Sequence, residues 1–183
     1  MSGPRNHLER ILFGETEIRK CIADLGAAIT KDYKDKRPLS VVTILQGGAL
    51  FMADLIREIH LPLKIESISV SSYEGTSSSG TVKFHQNGMP DLNGRHVLIL
   101  DDILDSGRTL FAIQSRFEGE CQPLSIQTCV FLSKQCERAV EIEADYVGFE
   151  VGDEFVVGYG LDYNGEYRNL PEIGVLKPEF YEK

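Results

Sequence analysis

Positive charge is in deficit. Lysine and arginine together number 19 against 28 aspartates and glutamates, a formal net charge of -9. General nucleic-acid binding wants a basic surface, so that class is excluded, while a local basic pocket for a phosphorylated ligand is not. Long apolar runs are missing as well. Nothing approaches the roughly 20 consecutive apolar residues of a membrane span. The opening MSGPRNHLER has no apolar stretch, so neither a signal peptide nor a membrane association is expected. Cysteine is scarce: Cys21, Cys121, Cys129 and Cys136 contain no Cys-x-x-Cys pair, which argues against a zinc site. Free thiols and a cytoplasmic location are the expectation. No internal repeat, linker or composition break divides the chain, and Gly75–Gly80 is its one low-complexity stretch. Residues 1–183 therefore read as a single domain, with a hydrophobic content of 42% that suffices for a core.

What is present is an alternation of buried strands and amphipathic helices. Ile18, Cys21, Ile22, Leu25, Ala28 and Ile29 give Glu15–Tyr33 one apolar helical face. Leu39–Leu45 (LSVVTIL) reads as a buried strand, broken by Gln46-Gly47-Gly48 before a helix over Ala49–Ile59. Strands are expected at Leu63–Val70, Val97–Leu100, Leu124–Leu132, Ala144–Phe149 and Phe155–Tyr159, a helix at Arg108–Phe117, and turns over Asn87–Gly94. Such alternation implies βαβ units in a mostly parallel, twisted α/β sheet flanked by helices. Ligands bind beyond the carboxyl ends of strands in such sheets, where Gln46, Asp101 and Lys134 fall.

The run Val97–Leu110, VLILDDILDSGRTL, carries the chemistry. A buried strand ends in paired carboxylates, Asp101 and Asp102. Asp105 follows, then Ser106, Gly107, Arg108 and Thr109 open a helix. That loop offers backbone N–H groups, two hydroxyls and a guanidinium to a phosphate. Two neighbouring carboxylates repel unless a cation or donors lie between them, so sugar hydroxyls or a divalent metal are their natural partners. The order resembles the phosphoribosyl-diphosphate signature of the type I phosphoribosyltransferases. Val147–Leu176 (VGFEVGDEFVVGYGLDYNGEYRNLPEIGVL) is similar to the purine-binding end of the hypoxanthine-guanine members. Leu45–Leu55 (LQGGALFMADL) and Ser71-Ser72-Tyr73 with its tail to Val82 fit the same family. Together these matches run from about Ser40 to Leu176.

The resemblance implies a small purine-binding hood on the sheet. It implies transfer of the 5-phosphoribosyl group from phosphoribosyl diphosphate to hypoxanthine or guanine, with Mg²⁺ as cofactor. By it, Ser106, Gly107, Arg108 and Thr109 hold the 5-phosphate, and Asp101 and Asp102 face the ribose hydroxyls and the metal's water. Asp105 is the general base at purine N7, Lys134 donates to the purine O6, Phe155 stacks on the ring and Val156 presents backbone to its edge. Asp162 coordinates Mg²⁺ beside the purine, and Arg168, Gln46 and Gly47 meet the pyrophosphate, the turn at Gln46 being entered by a cis peptide. Ser72 and Tyr73 form a lid. A homo-oligomer, dimer or tetramer, is implied in the same way.

Two residues depart from the pattern. Gln46 stands where many members have lysine, which keeps a backbone contact there but removes a cation, and Asp101 stands where glutamate is frequent. A xanthine-preferring enzyme is the near alternative. A ligand-sensing regulator on the same fold is the alternative from another class, opposed by the net acidity and by the lack of an added DNA-binding domain.

Overall fold

The structure, a computed structural model, describes residues 3–72, 82–86 and 88–181. Its elements in chain order are β1 (Leu8–Phe13), α1 (Glu15–Asp32), β2 (Leu39–Leu45), α2 (Gly48–Glu58), β3 (Leu63–Ser72), β4 (Val82–Phe84), β5 (His96–Leu104), α3 (Arg108–Glu120), β6 (Ser125–Lys134), β7 (Tyr146–Val151), β8 (Val156–Val157) and β9 (Ile173–Leu176). Among the described residues one sheet has the order β4-β3-β2-β5-β6-β7, and a second, smaller one the order β1-β9-β8. In the large sheet β3, β2, β5, β6 and β7 run parallel, and β4 pairs antiparallel with β3 at its edge.

The large sheet is buried on both faces, which is why its strands read as continuous apolar runs. In β5, Leu98 and Leu100 point into one core layer with Phe51, Phe131 and the Ile18, Ile22, Leu25, Ile29 stripe of α1. Val97 and Ile99 point into the other, against Leu110, Ile113 and Phe117 of α3. That alternation is the two-residue period of a strand. Each fully buried side chain of this size contributes about 1.5–3 kcal/mol relative to leaving it in water. Glu17 helps to start α1, its carboxylate accepting from the Gly14 N–H at 2.8 Å.

Several boundaries differ from the expectation. β5 does not stop at Leu100 but continues through Asp101 and Asp102 to Leu104, because β6 runs alongside it as far: Asp101 pairs with Val130 and Ile103 with Leu132. The paired acids are thus strand residues, not loop residues. β8 is shorter than Phe155–Tyr159, and β7 is shifted to Tyr146–Val151. The small sheet joins the two ends of the chain, Leu8–Phe13 pairing antiparallel with Ile173–Leu176. Its underside is closed by Leu8, Val157, Tyr167, Leu170 and Leu176. All four cysteines are free. Among the described residues no helix is long and apolar enough to cross a membrane.

Candidate active site

The chain leaves β2 to build β3 on one side, and later returns to place β5 on the other. The crevice at the carboxyl ends of β2 and β5 is therefore the topological switch point of the sheet, where ligands of open α/β folds bind. A cavity of about 690 Å³ opens there. It gathers Gln46 and Gly47, Asp101, Asp102 and Asp105, Ser106–Thr109, Asp162 and Arg168, residues from three separate stretches of the chain.

The turn after β2 is entered by a cis peptide between Leu45 and Gln46, as the resemblance implies. Gly47 follows with ordinary right-handed angles, φ -56° and ψ -48°. Backbone freedom is not what calls for glycine here. A Cβ on Gly47 would overlap the carboxylate of Asp102, so the turn closes directly onto that acid. α2 then starts at Gly48.

Asp101 is 8% exposed and Asp102 half-buried. Each accepts from the next backbone N–H, Asp102 N to Asp101 Oδ1 and Ile103 N to Asp102 Oδ1, both at 3.0 Å. Burial pushes the Asp101 carboxyl well above the usual carboxylate range, and the neighbouring Asp102 charge adds to this. Burial also raises Asp102, opposed by its hydrogen bond with Asp101 and by the Arg168 guanidinium. The pair therefore holds a proton more readily than free aspartates do, with Arg168 as a neighbouring cation.

After β5 the loop Asp105–Gly107 leads into α3. Gly107 has φ +80°, a left-handed conformation that glycine adopts freely, and a Cβ there would collide with Ile142 Cγ2. Neither α3 nor α2 carries an acidic residue in its first turn, whereas α1 has Glu15 and Glu17 there. The positive ends of α2 and α3 are thus left without a carboxylate in their own first turns, beside this cavity. Opposite stands Arg168, held by Asp162 Oδ1 at 2.7 Å and donating to the Gly160 carbonyl at 2.5 Å. Among the described residues its buried Nε has no hydrogen-bond partner.

Lys134, Phe155 and Val156 do not line this cavity. Lys134, at the end of β6, reaches its rim through Asp105: its Nζ lies 3.4 Å from Asp105 Oδ2 and 3.8 Å from Asp153 Oδ1. The lysine side chain is 16% exposed and the Asp105 side chain 57%, so a packed cation faces an open carboxylate. Phe155 is partly exposed, stacked on Tyr181 with ring centroids 4.8 Å apart and edge-on to Tyr163 at 5.5 Å. Val156 is buried in β8 opposite Val175. Of the expected lid, Ser72 ends β3, while Tyr73 and the Gly75–Gly80 stretch lie outside the described residues. Asp101, Asp102 and Asp162 share the cavity, but among the described residues no three His, Cys, Asp or Glu side chains form a ready-made metal cluster.

Two residues near Asp105 escaped the sequence reading. The Cys136 thiol lies 3.5 Å from Asp105 Oδ1, and Arg138 donates to the Asp105 carbonyl at 2.6 Å. Both sit in a polar stretch after β6 that reads as surface, and no spacing signal marks them.

Residues 14–164 match the family model of the phosphoribosyl transferase domain. The hypoxanthine-guanine phosphoribosyltransferase of Bacillus subtilis is 46% identical over 179 residues, covering 97% of this chain and 98% of the relative. Its namesake from Streptococcus pneumoniae is 45% identical over 177 residues, covering 96% and 97%. The crystal structure of a hypoxanthine phosphoribosyltransferase from Staphylococcus aureus superposes with a TM-score of 0.92 at 44% identity, covering 98% of this chain and 97% of that one. With this match over most of its length, the chain belongs to the phosphoribosyltransferase family.

Proposed function

We propose that this protein transfers the 5-phosphoribosyl group of phosphoribosyl diphosphate to N9 of hypoxanthine or guanine, releasing pyrophosphate and yielding the purine nucleotide. The observation that carries the reading is the meeting of the α3 N-terminus, a buried carboxylate pair and Arg168 in one cavity, with the Lys134–Asp105 pair at its rim. The near-full-length identity to named hypoxanthine-guanine phosphoribosyltransferases supports the same reaction.

The 5-phosphate docks on the amides and hydroxyls of Ser106–Thr109 at the N-terminus of α3. Asp101 and Asp102 accept from the ribose 2- and 3-hydroxyls. Arg168 and the amides of the Gln46–Gly47 turn take the pyrophosphate, the neutral Gln46 contributing no charge. The purine lies over Phe155, with Lys134 donating to O6 and the backbone at Val156 reading the opposite edge. Adenine offers an amine where Lys134 needs an acceptor, which leaves a packed cation unpaired and rejects that base. As the N9 lone pair forms the bond to the anomeric carbon, the carbon–oxygen bond to pyrophosphate breaks, and Asp105 takes the proton from N7. Substrate displaces the Lys134–Asp105 contact, releasing the lysine to O6 and the carboxylate to N7.

Mg²⁺ fits the donor set. Hard oxygen ligands are present, burial disfavours charge on both members of the Asp101–Asp102 pair unless a cation joins them, and Mg²⁺ is commonly held by one or two carboxylates with substrate phosphates supplying the rest. Asp101, Asp102 and Asp162 are the residues that would hold it. Bound there, it would supply positive charge to offset that of the leaving pyrophosphate.

The chain works as one domain, in a homo-oligomer, dimer or tetramer, and in the cytoplasm. The four unpaired thiols support a reducing compartment. The test is a base panel with saturating phosphoribosyl diphosphate and Mg²⁺. Hypoxanthine and guanine should release pyrophosphate rapidly and adenine should not. Preference for xanthine, or binding of the donor with no turnover on any base, would refute the reading.

A further inference from the structure

Arg138 follows β6, outside every group given a role in the reaction. Its Nη1 donates to the backbone carbonyls of Leu104 at 3.0 Å and Asp105 at 2.6 Å, and its Nη2 donates to Ser133 Oγ at 2.8 Å. The β5–β6 ladder ends at the pair Leu104–Ser133. Beyond it, carbonyl oxygens at the tip of β5 have no strand partner; that of Asp105 is exposed, whereas that of Leu104 is partly buried, where an unpaired carbonyl is costly. The guanidinium supplies that partner. Its third bond reaches the residue just before Lys134. One planar cation therefore clamps both sides of the Lys134–Asp105 pair from behind.

The neighbouring phosphate loop is fastened by other means. Ala139 N donates to the Ser106 carbonyl at 3.0 Å, and Val140 and Ile142 pack over Gly107. Removing the guanidinium thus frees the Asp105 main chain while leaving the Ser106–Thr109 cradle in place.

We propose that Arg138 is a positioning residue: without touching substrate, it fixes the Asp105 carboxylate and the end of β6 at the separation the purine requires. This rests on the reading of Asp105 as the base at N7. A guanidinium is needed because its rigid fork serves three oxygen acceptors at once, with Cys136 Sγ a further contact of Nη1 at 3.7 Å, whereas an ammonium on a flexible stem does not hold that geometry.

The test compares Arg138→Ala, Arg138→Lys and Asp105→Asn by steady-state kinetics and thermal melting, with guanidinium ion added at millimolar, non-denaturing concentration. A base displaced by about 1 Å costs on the order of 10²-fold in rate. Arg138→Ala should lose about 10–10²-fold in kcat while KM for phosphoribosyl diphosphate stays within about threefold, since the loss falls on the transition state. Guanidinium ion should restore part of that kcat in Arg138→Ala and none in Asp105→Asn. Arg138→Lys, which keeps charge and packing, should stay folded and still fall short of the native kcat. Arg138→Ala turning over normally beside an inactive Asp105→Asn would overturn the positioning role alone. So would a loss that melts away with the fold, falls equally on KM, or ignores guanidinium ion. Normal turnover by Asp105→Asn would overturn the base itself, and with it this inference.

Discussion

Gly47→Ala places a single methyl between the Gln46–Gly47 turn and the acid pair. Gly47 already has right-handed angles, so alanine brings no backbone strain. Near the start of α2 the change should alter stability by no more than about 1 kcal/mol. The cost lies in space. The new Cβ would coincide with the Asp102 carboxylate and stand 2.8 Å even from its farther oxygen, Oδ1. Ordinary contact between non-bonded heavy atoms is about 3.5 Å, so the carboxylate must retreat by roughly an ångström or more. A displacement of that size in a substrate-positioning group costs on the order of 10²-fold, or about 2.7 kcal/mol. The assay is the initial rate with phosphoribosyl diphosphate varied at saturating guanine, and the loss should appear in kcat/KM for the donor. The same substitution in an Asp102→Gly background has nothing to displace, so it should cost little further. An equal loss in both backgrounds, or none in either, would refute the reasoning.

Lys134→Ala should raise KM for hypoxanthine and lower the preference for hypoxanthine over adenine by about 10²-fold or more, because a site built to pair an oxo group discriminates through its unpaired donor. An unchanged base ratio would remove Lys134 from the O6 contact. Stability should fall by less than about 1 kcal/mol, since its partners Asp105 and Asp153 are largely open to water. At alkaline pH the fold should weaken. Burial pushes the Cys21 thiol up to about 11 from an ordinary value of 9.0, and raises the Tyr33 and Tyr159 phenols above theirs. The folded state prefers these groups neutral, so their contribution is complete below pH 9 and is lost as pH rises through 11 and beyond. The urea midpoint should be lower at pH 10.5 than at pH 8, and an unchanged midpoint would contradict the burial of these groups.

Much of the fold was legible because the parallel strands are buried on both faces. Leu39–Leu45 needed no partner information to be read as a strand, and it spans the same residues in the structure. Other parts depend on contacts far apart in the chain. Leu8–Phe13 becomes a strand only by pairing with Ile173–Leu176, and a short, half-polar segment does not announce such a partner. Asp101 and Asp102 read as the end of a strand because charged residues rarely sit inside one. They stay in β5 because β6 continues beside them. Asp101, Asp102, Asp105 and the loop Ser106–Thr109 are identifiable from their order in the sequence, while Asp162 and Arg168 come through the resemblance of Val147–Leu176 to the family. Arg138 is not identifiable, since an arginine in the polar stretch Gln135–Glu143 is indistinguishable from a solvated one until its three acceptors are seen. The stack of Phe155 on Tyr181 was equally hidden, as it joins the residue before β8 to one beyond β9.

Calorimetric titration of phosphoribosyl diphosphate into the full chain, with and without Mg²⁺, tests the central claim most directly. Saturable binding at one site per chain, strengthened by Mg²⁺ and weakened by Gly47→Ala, is the outcome that a donor seated between the Ser106–Thr109 loop and the Asp101–Asp102 pair requires. No heat of binding from well-folded protein in the presence of Mg²⁺ would contradict it.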